Sequence, residues 1–234
     1  MTDKPRIVVS TGAGISAESG IKTFRDADGL WENYPVMDVA GADGFARNPA
    51  LVHQFYNERR AALGKAMPNK AHLLLKELED RFDVFVITQN VDDLHERAGS
   101  SNILHLHGEL TKVRALDDAS LTFKLGYNEA TTPETVINGH RVRPHIVFFQ
   151  EAVPMFEPAV ELAATADIFV IIGTSLVVYP AAALLNYVKA GTPIYYIDPA
   201  PSRVPAGVTV IRKPATEGME ELARLLLEKY PEKA

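Results

Sequence analysis

The feature that most constrains the fold of this chain is a glycine-rich turn directly after a short apolar run. Residues 7–9 are Ile, Val and Val, and Gly12-Ala13-Gly14 follows after two more residues, with Ala17 beyond it. Such an apolar run is typical of a buried strand. The spacing matches the G-x-G-x-x-G/A pattern, which brings backbone N–H groups and a helix N-terminus to a pyrophosphate. The sequence therefore predicts a helix opening at residues 14–17 and a dinucleotide-binding turn; a plain strand-to-helix turn in another α/β protein is the alternative.

The acidic residue that ordinary dehydrogenases use for the ribose is not clearly present. In the dinucleotide-binding fold an Asp or Glu ends the second strand about 20 residues after the glycines. The corresponding stretch of this chain shows no clear strand with such an ending. Ordinary dehydrogenase chemistry is therefore not the first choice.

Composition limits the class of protein. The chain has 234 residues, 47% of them hydrophobic and 23% charged, as expected for one large globular domain or one domain with a small insert. Its net charge of −6 argues against a nucleic-acid-binding surface. No apolar stretch approaches the ~18 residues of a membrane helix, and the first residues lack the apolar core of a signal peptide. We therefore expect a cytoplasmic protein without nucleic-acid or membrane partners. A monomer is the working expectation, although no sequence feature decides the oligomeric state.

Strand and helix signals alternate along the chain. Apolar runs rich in Val and Ile predict strands at 7–10, 84–88, 103–106, 168–172, 194–197 and 208–211. Helical periodicity lies between them, at 51–63, 70–81, 91–98, 181–189 and 217–229. This alternation predicts an α/β protein with a doubly wound, parallel, Rossmann-like sheet.

Two segments interrupt the alternation and predict a small inserted domain. Residues 28–66 contain helical pattern but no strand, and residues 110–142 are polar and rich in Thr, Asp and Asn. Connections of this length are usually functional or disordered. The predicted division assigns residues 1–27, 67–109 and 143–234 to a large Rossmann-like, dinucleotide-binding domain, and residues 28–66 and 110–142 to a small domain.

The glycine-rich turn continues into a longer motif that is specific to a family. Residues 12–25 read Gly-Ala-Gly-Ile-Ser-x-x-Ser-Gly-Ile-x-x-Phe-Arg, which resembles the NAD-binding loop of the sirtuins, the NAD-consuming protein-lysine deacylases. Further sirtuin-like stretches are Thr-Gln-Asn-x-Asp-x-Leu-His at 88–95, Leu-His-Gly at 106–108, and residues 143–151 and 173–182. The resemblance covers nearly the whole chain except 110–142. It implies NAD as the cofactor, acyl-lysine proteins or peptides as partners, and two insertions packed together beside the nucleotide-binding domain.

The resemblance also implies which residues contact NAD. Phe24 would shield the reacting sugar, Arg25 would lie near the phosphates, and Asp92 would accept a hydrogen bond from the carboxamide of nicotinamide. On local pattern alone, the polar residues after residue 88 equally suit a turn that caps the next helix. The full predicted set is Gly12, Ala13, Gly14, Ser16, Glu18, Phe24, Arg25, Gln89, Asn90, Asp92, Gly173, Thr174, Ser175 and Asp198.

Two histidines follow on one predicted strand. His105 and His107 are two residues apart, so their side chains point to the same face. A metal pair is possible on this pattern, but no third ligand lies nearby, and a buried histidine is most often a satisfied core residue. The sirtuin Leu-His-Gly motif selects His107 as the general base, with Asn90 beside the catalytic water, and His105 is left with a structural role.

The resemblance also implies a substrate site. Tyr56 and Arg59 are three residues apart on a predicted helix and share a face. They resemble the Tyr-x-x-Arg pair of sirtuins that remove acidic acyl groups; an amphipathic helix with a half-buried Tyr and a solvated Arg is the alternative. Val147, Phe148 and Phe149 match the stretch that pairs with the substrate peptide as an added strand.

The chain departs from the family pattern in three places. Most sirtuins carry four zinc-binding cysteines in the segment that corresponds to 109–144, and this chain has no cysteine. His140 alone cannot make a four-ligand site, so we expect no zinc and a module held by packing. The apolar residues available for packing in the cysteine-free module are Leu121, Phe123, Leu125, Tyr127, Val136 and Ile137.

The other two departures are single residues. The family usually has a Gly at the position of Gln150 and an Asn at the position of Tyr196.

Together these motifs predict an NAD-dependent protein-lysine deacylase. The enzyme would transfer the acyl group to ADP-ribose and release nicotinamide, acting as a desuccinylase or demalonylase and as a deacetylase. Two alternatives are a protein ADP-ribosyltransferase, which begins with the same cleavage of NAD, and a non-catalytic NAD-sensing module.

Overall fold

The computed structural model describes residues 4–22, 30–31, 34–201, 204 and 206–231. In chain order the strands are β1 (Arg6–Thr11), β2 (Leu30–Trp31), β3 (Tyr34–Pro35), β4 (Asp83–Thr88), β5 (Ile103–His105), β6 (Gly108–Ala115), β7 (Thr122–Lys124), β8 (Val136–Ile137), β9 (His140–Ile146), β10 (Ile168–Ile172), β11 (Ile194–Ile197) and β12 (Val208–Ile211). The α-helices are α1 (Val36–Ala40), α2 (Ala42–Arg47), α3 (Pro49–Leu63), α4 (Lys70–Leu78), α5 (Leu94–Ala98), α6 (Phe156–Ala163) and α7 (Ala215–Lys229). Short 3₁₀ helices span Ala13–Ile15, Ala17–Ser19 and Ala181–Tyr187.

A six-stranded parallel sheet with the order β12-β11-β10-β1-β4-β5 forms the large part of the fold. Each of its strands coincides with a predicted one, so the predicted doubly wound α/β sheet is confirmed. The chain first builds outward from β1 to β4 and β5, and then returns to β10 on the other side of β1. The strand order therefore reverses between β1 and β10, the position at which open α/β sheets bind ligands.

Strand β1 shows why these segments form a buried sheet. Ile7 and Val9 point to one face, where they pack with apolar residues of α4 and α7. Val8 points to the other face and packs with residues of α6. Because helices cover both faces, the strands are continuous apolar runs and show no alternation of polar residues.

The predicted helix at residues 14–17 is wrong in type. The segment forms two consecutive 3₁₀ helices in which each N–H bonds to the third residue back, as Ile15 does to Gly12 at 3.1 Å. The N–H of Gly14 donates to the carbonyl of Gly173 at 2.8 Å and ties the segment to the end of β10. Short 3₁₀ turns are common in connectors that tertiary contacts fix in this way.

Other helices also differ from the predictions. Helix α5 begins at Leu94 and not at residue 91, because the Asp92 carboxylate accepts the N–H of Leu94 at 3.2 Å. The predicted helix at 181–189 is a 3₁₀ helix, and the sequence analysis missed α6. Across the described ranges, every helix is too short or too polar to span a bilayer.

An antiparallel sheet with the order β7-β6-β9-β8 lies apart from the parallel sheet. Its long strands β6 and β9 share an apolar cluster with α1 and α3. These elements come from the two insertions that the sequence predicts to pack together. Because β6 begins at Gly108 and β9 ends at Ile146, both strands extend beyond residues 110–142.

A polar face of α3 holds the loop that precedes β8. The Nε of Arg60 donates to the Glu129 carbonyl at 3.2 Å, and its Nη2 donates to the same oxygen and to Asn57 Oδ1. Asn57 also bonds both main-chain groups of Thr131, at 2.8 and 3.0 Å. Arg60 is only 1% exposed, so its guanidinium is buried among these neutral acceptors.

These hydrogen bonds correct the expectation that packing alone holds the module. Two of the six residues named for that packing are open to solvent, since Leu121 is 37% exposed and Val136 is 56% exposed. Tyr127 packs against the apolar cluster, and its hydroxyl also donates a hydrogen bond to Asp93. The module is therefore joined to α3 and α5 by polar side chains as well as by the apolar cluster that β6 and β9 share with α3.

We predict that Arg60→Met lowers the free energy of unfolding by about 3 kcal/mol, because buried acceptors left without a donor cost ~1–3 kcal/mol each. The carbonyls of Glu129 and Leu110 would both lose a donor. Urea denaturation measures the change. The matched control is Arg47→Met, whose side chain is 62% exposed and pairs with Asp38, and it should shift stability by less than ~0.5 kcal/mol. Equal losses in the two variants would contradict the role given to Arg60.

Candidate active site

The predicted site residues converge on the carboxyl edge of the parallel sheet. The turn Gly12-Ala13-Gly14 follows β1, residues 89–92 follow β4, and residues 173–175 follow β10. Asp198 follows β11 and is buried. Parallel strands deliver their carboxyl ends to one edge, and the reversal of strand order at β1 and β10 opens a crevice there.

Backbone-to-backbone contact closes the floor of this crevice. A Cβ placed on Gly14 would lie 2.5 Å from the Cα of Gly173, and one placed on Gly173 would lie 2.4 Å from the Ile15 nitrogen. Gly173 also has φ of 62°, which is left-handed. Only glycines allow the loops after β1 and β10 to meet this closely.

A buried hydrogen-bond network links the first loop to the second. Asn90 donates through Nδ2 to the Ser16 hydroxyl at 3.1 Å, and Ser16 donates to Asp92 Oδ2 at 2.9 Å. Burial raises the pKa of Asp92, although hydrogen bonds from Leu94 and Ser16 oppose the shift. The structure thus brings together three of the residues that the sequence predicts to contact NAD.

Gln89 joins the ends of three strands. Its N–H donates to the Thr11 carbonyl at 2.9 Å, and its side-chain Nε2 donates to the Thr174 hydroxyl at 3.2 Å. The Tyr196 hydroxyl donates to the Thr174 carbonyl at 2.6 Å. Tyr196 is a completely buried residue of β11, so its side chain holds the turn after β10 from within the protein.

His107 presents one ring nitrogen to the crevice. Its Nδ1 lies 3.0 Å from the Gln89 carbonyl, an oxygen that only accepts, so Nδ1 carries the proton. Nε2 therefore holds the lone pair, and it makes no hydrogen bond with the described residues. Burial lowers the pKa of His107, while the bond to Gln89 opposes the shift. A neutral histidine with an open Nε2 is suited to accept a proton.

His105 differs from His107 because both of its nitrogens are occupied. Nδ1 lies 3.2 Å from the Asn90 carbonyl and Nε2 lies 2.6 Å from Glu96 Oε1. Burial alone would lower the pKa of His105, but the hydrogen bond and charge of Glu96 outweigh burial and raise it. The arrangement agrees with the structural role predicted for His105.

Glu18 and Asp198 make internal contacts. Glu18 accepts from the N–H and the hydroxyl of Thr216, at 3.0 and 2.7 Å, and thereby caps the first turn of α7. Asp198 Oδ1 accepts from the N–H of Ala200 at 2.8 Å. Phe24 and Arg25 lie outside the described residues. The cofactor-binding, catalytic and substrate-binding roles of these residues, like those of all the other predicted site residues, stay predictions.

The proposed acyl site is an aromatic cluster beside the middle of α3. Tyr56 is buried and stacks on Phe148, with ring centroids 6.0 Å apart. The Arg59 guanidinium lies 3.6 Å from the Phe55 ring centroid and 5.9 Å from that of Trp31. Burial raises the pKa of Tyr56, so its hydroxyl stays a hydrogen-bond donor. The two residues of the Tyr-x-x-Arg pair thus share one aromatic environment.

The predicted substrate stretch lies next to His107. The N–H of Val147 donates to the His107 carbonyl at 2.9 Å. Phe149 uses its N–H with Ala40 at 2.8 Å and its carbonyl with Ala42 at 3.0 Å. Most main-chain groups of this stretch are therefore used inside the protein, and the Val147 carbonyl is one that makes no hydrogen bond with the described residues.

Gln150 preserves a glycine-like backbone at the position where the family usually has Gly. Its φ is 77°, in the left-handed region that disfavours side chains. Two hydrogen bonds to Asp43 hold it there: Nε2 donates to Oδ2 at 2.7 Å, and Oε1 accepts the N–H at 3.2 Å. Gln150 therefore adopts a backbone conformation that glycine also allows, and its side chain ties this segment to α2.

Sequence reasoning missed an ion cluster that fixes Phe148. Arg143 donates to both carboxylate oxygens of Glu151, at 2.6 and 3.2 Å, and Arg114 donates to the same group. Glu151 accepts the N–H of Phe148 at 2.9 Å, and the Arg143 guanidinium lies 3.9 Å from the Phe148 ring centroid. Opposite charges flanking the apolar run 146–149 are the signal that could have revealed it.

Comparison with known proteins decides the family. A family model described as Sir2 family matches residues 12–180. The chain belongs to the Sir2 family. This membership confirms the predicted sirtuin resemblance, and with it the predictions of an NAD-dependent enzyme and of NAD as cofactor.

Bacterial relatives match this Sir2 chain over nearly its whole length. A protein of Bacteroides thetaiotaomicron called NAD-dependent protein deacylase is 54% identical over 231 residues, covering 94% of this chain and 97% of that protein. A protein of Helicobacter pylori with the same name is 49% identical over 224 residues, covering 95% and 97%.

Solved Sir2 structures share the fold. A Sir2 homologue in complex with NAD is 39% identical with a TM-score of 0.84, covering 97% of this chain and 91% of that one. A mutant Sir2 homologue in complex with ADP-ribose is 38% identical with a TM-score of 0.88, covering 99% and 96%. A Sir2 mutant with a deacetylated p53 peptide and 3′-O-acetyl ADP-ribose is 30% identical with a TM-score of 0.80, covering 97% and 94%.

We predict that Gly14→Ala separates the loops after β1 and β10, because the new Cβ would meet the backbone of Gly173, which cannot move aside. The expected cost is about 1–3 kcal/mol of stability, with loss of the rise in Tm that NAD gives the wild type. Thermal unfolding with and without NAD measures both. The control is Gly126→Ala, where the nearest atom is a mobile Glu129 oxygen at 3.3 Å. A Gly14→Ala protein that NAD stabilises normally would contradict the prediction.

Proposed function

We propose that this Sir2-family protein is an NAD-dependent protein-lysine deacylase that prefers acidic acyl groups. The observation that carries the proposal is the His107 ring at the crevice between β1, β4 and β10, with Nδ1 bonded to Gln89 and Nε2 open. A base at this edge is what acyl transfer from lysine to the ribose of ADP-ribose requires.

The residues at the crevice suit NAD. The close approach of Gly12-Ala13-Gly14 to Gly173 leaves a loop without bulky side chains at the switch point, where a pyrophosphate can lie against the backbone. Asn90 and Asp92 supply an amide and a carboxylate in a buried setting that can hold a ribose and a carboxamide. When bound, NAD supplies the ribose carbon that accepts the acyl oxygen as nicotinamide departs.

His107 accepts a proton from a ribose hydroxyl in this proposal. The Gln89 carbonyl fixes the tautomer, so that the lone pair lies on Nε2, which makes no hydrogen bond with the described residues. Because burial lowers the pKa of His107, the ring is neutral and ready to accept a proton at neutral pH. Asn90, bonded to Ser16, orients the water or hydroxyl next to it.

The substrate peptide lies beside Val147 in this proposal. The Val147 carbonyl is available to pair with a peptide N–H, and the exposed Phe149 side chain offers an apolar contact. Phe148 points inward to Tyr56 and forms one wall of the acyl site. The acyl chain would run from the His107 crevice into the aromatic cluster.

We predict that His107→Ala lowers kcat for deacylation by about 10²–10⁴-fold, as expected for loss of a general base. NAD binding should be retained, because the hydrogen bond that the substitution removes belongs to the His107 ring itself, and the side chain of Gln89 is left in place. The assay follows nicotinamide release and peptide deacylation together. His140→Ala is the control, because His140 lies at the start of β9 and pairs with Asp117 in the turn after β6. Full activity in His107→Ala would remove the proposal.

The products separate deacylation from its rival functions. Mass spectrometry of a treated acyl-peptide should find the acyl group on ADP-ribose and a free lysine. ADP-ribose attached to protein would favour an ADP-ribosyltransferase, and NAD binding without nicotinamide release would favour a sensor.

The Tyr56 and Arg59 pair gives the acidic preference. A succinyl or malonyl group ends in a carboxylate, which the planar guanidinium of Arg59 matches and to which the Tyr56 hydroxyl can donate. Leaving that carboxylate unpaired in a closed pocket would cost roughly 3 kcal/mol. An acetyl group gains nothing from either residue.

We predict that Arg59→Met cuts kcat/KM for succinyl-peptides by about 10²-fold, at 1.4 kcal/mol per tenfold, and largely spares acetyl-peptides. The methionine keeps apolar contact with Phe55 while removing the charge. Arg47→Met, an exposed arginine of α2, is the control and should change neither substrate. Parallel losses on both substrates would leave a plain deacetylase.

A further inference from the structure

Two histidines of one segment hold two consecutive carbonyls at the active site. His107 donates to the Gln89 carbonyl at 3.0 Å, and His105 donates to the Asn90 carbonyl at 3.2 Å. β5 ends at His105 and His107 lies in the bend before β6, yet both rings contact the loop after β4. The loop that carries Asn90 is thus bonded at two successive peptide groups.

His105 is fixed at its other end as well. Its Nε2 donates to Glu96 Oε1 of α5 at 2.6 Å, and its side chain is only 10% exposed. A carbonyl and a carboxylate both lack a hydrogen to donate, so both ring nitrogens must carry protons and the ring is an imidazolium. The acceptor Glu96 in turn is anchored on a helix that begins at Leu94, two residues after Asp92.

The charges around His105 are balanced within the protein. Glu96, Glu109 and His105 lie close enough to form a cluster, and Lys112 donates to Glu109 at 2.6 Å. Each carboxylate therefore has its own cation in the described structure. The cluster needs no further ion to account for its geometry, which leaves the contact with Asn90 as the feature to explain.

We propose that His105 is a positioning residue that holds the Asn90 carbonyl and thereby aims the Asn90 amide and the His107 ring. The inference rests on the proposed function for what these two groups then do. Without the bond from His105, the peptide between Asn90 and Val91 is free to rotate, and the change at Asn90 displaces the neighbouring Gln89 carbonyl, the oxygen that fixes the His107 tautomer. The same change would also move the Asn90 amide away from Ser16, to which it donates at 3.1 Å.

The kinetic test compares two substitutions of His105. His105→Leu removes the donor, and we expect kcat to fall by about tenfold or more with KM for NAD and peptide changed less than twofold, since a misplacement of ~1 Å can cost on the order of 10²-fold in rate. His105→Asn keeps a nitrogen donor at nearly the Nδ1 position and should recover most of that loss. His140→Leu, which also removes a histidine–carboxylate pair, should leave kcat unchanged.

A second readout does not depend on catalysis. Long-range ¹H–¹⁵N spectra of the free protein report which ring nitrogen of His107 carries the proton. Wild type and His105→Asn should show the Nδ1–H tautomer, and His105→Leu should show a mixture of the two tautomers. A protein inactive in wild-type form would count against the proposed function alone, while this spectrum would still test the positioning role.

Two results would overturn the inference. One is a folded His105→Leu protein with wild-type kcat and an unchanged His107 tautomer. The other is a His105→Asn protein that folds but loses as much activity as His105→Leu, since the donor to Asn90 would then be irrelevant. If His105→Leu does not fold, the comparison of His105→Asn with wild type in both measurements decides the question.

Discussion

The contact between the backbones of Gly14 and Gly173 is the constraint on which the site depends. It lets the Gly14 N–H in the loop after β1 donate to the Gly173 carbonyl in the loop after β10 at 2.8 Å, at the point where the strand order reverses. From that position Ser16 reaches Asn90, and Thr174 reaches Gln89. A side chain at either glycine would separate the loops, and the polar groups that line the crevice would lose their common floor.

The sheet could be predicted because each strand is evident from its own residues. Strands covered on both faces must be apolar throughout, so a continuous apolar run such as residues 168–172 indicates a buried strand. The segment after Gly12 was mistaken for an α-helix because its helical bonds compete with a tertiary bond from Gly14 that no local pattern contains. The contact between α3 and the antiparallel sheet was missed for a similar reason. Arg60 donates there to backbone carbonyls, and because every residue carries such a carbonyl, no residue type in the sequence marks the partner.

The position of the candidate site could be predicted where polar residues follow the ends of parallel strands. Asn90, His107 and Thr174 all follow parallel strands and meet at one edge, as the topology requires. The surroundings were less predictable: neither the cap that Glu18 places on α7 nor the link from His105 to Glu96 follows from spacing. Such contacts depend on where helices that are distant in the sequence begin, and no local motif shows which of those helix ends will meet a given side chain.

A crystal structure of the protein soaked with NAD would test the central claim most directly, namely that the crevice between β1 and β10 is the nucleotide site. We expect density for the pyrophosphate along the backbone of Gly12-Ala13-Gly14. The nicotinamide ribose should lie between Asn90 and the Nε2 of His107. NAD bound elsewhere, or a crevice empty at saturating NAD with the nucleotide absent from the crystal, would contradict the account.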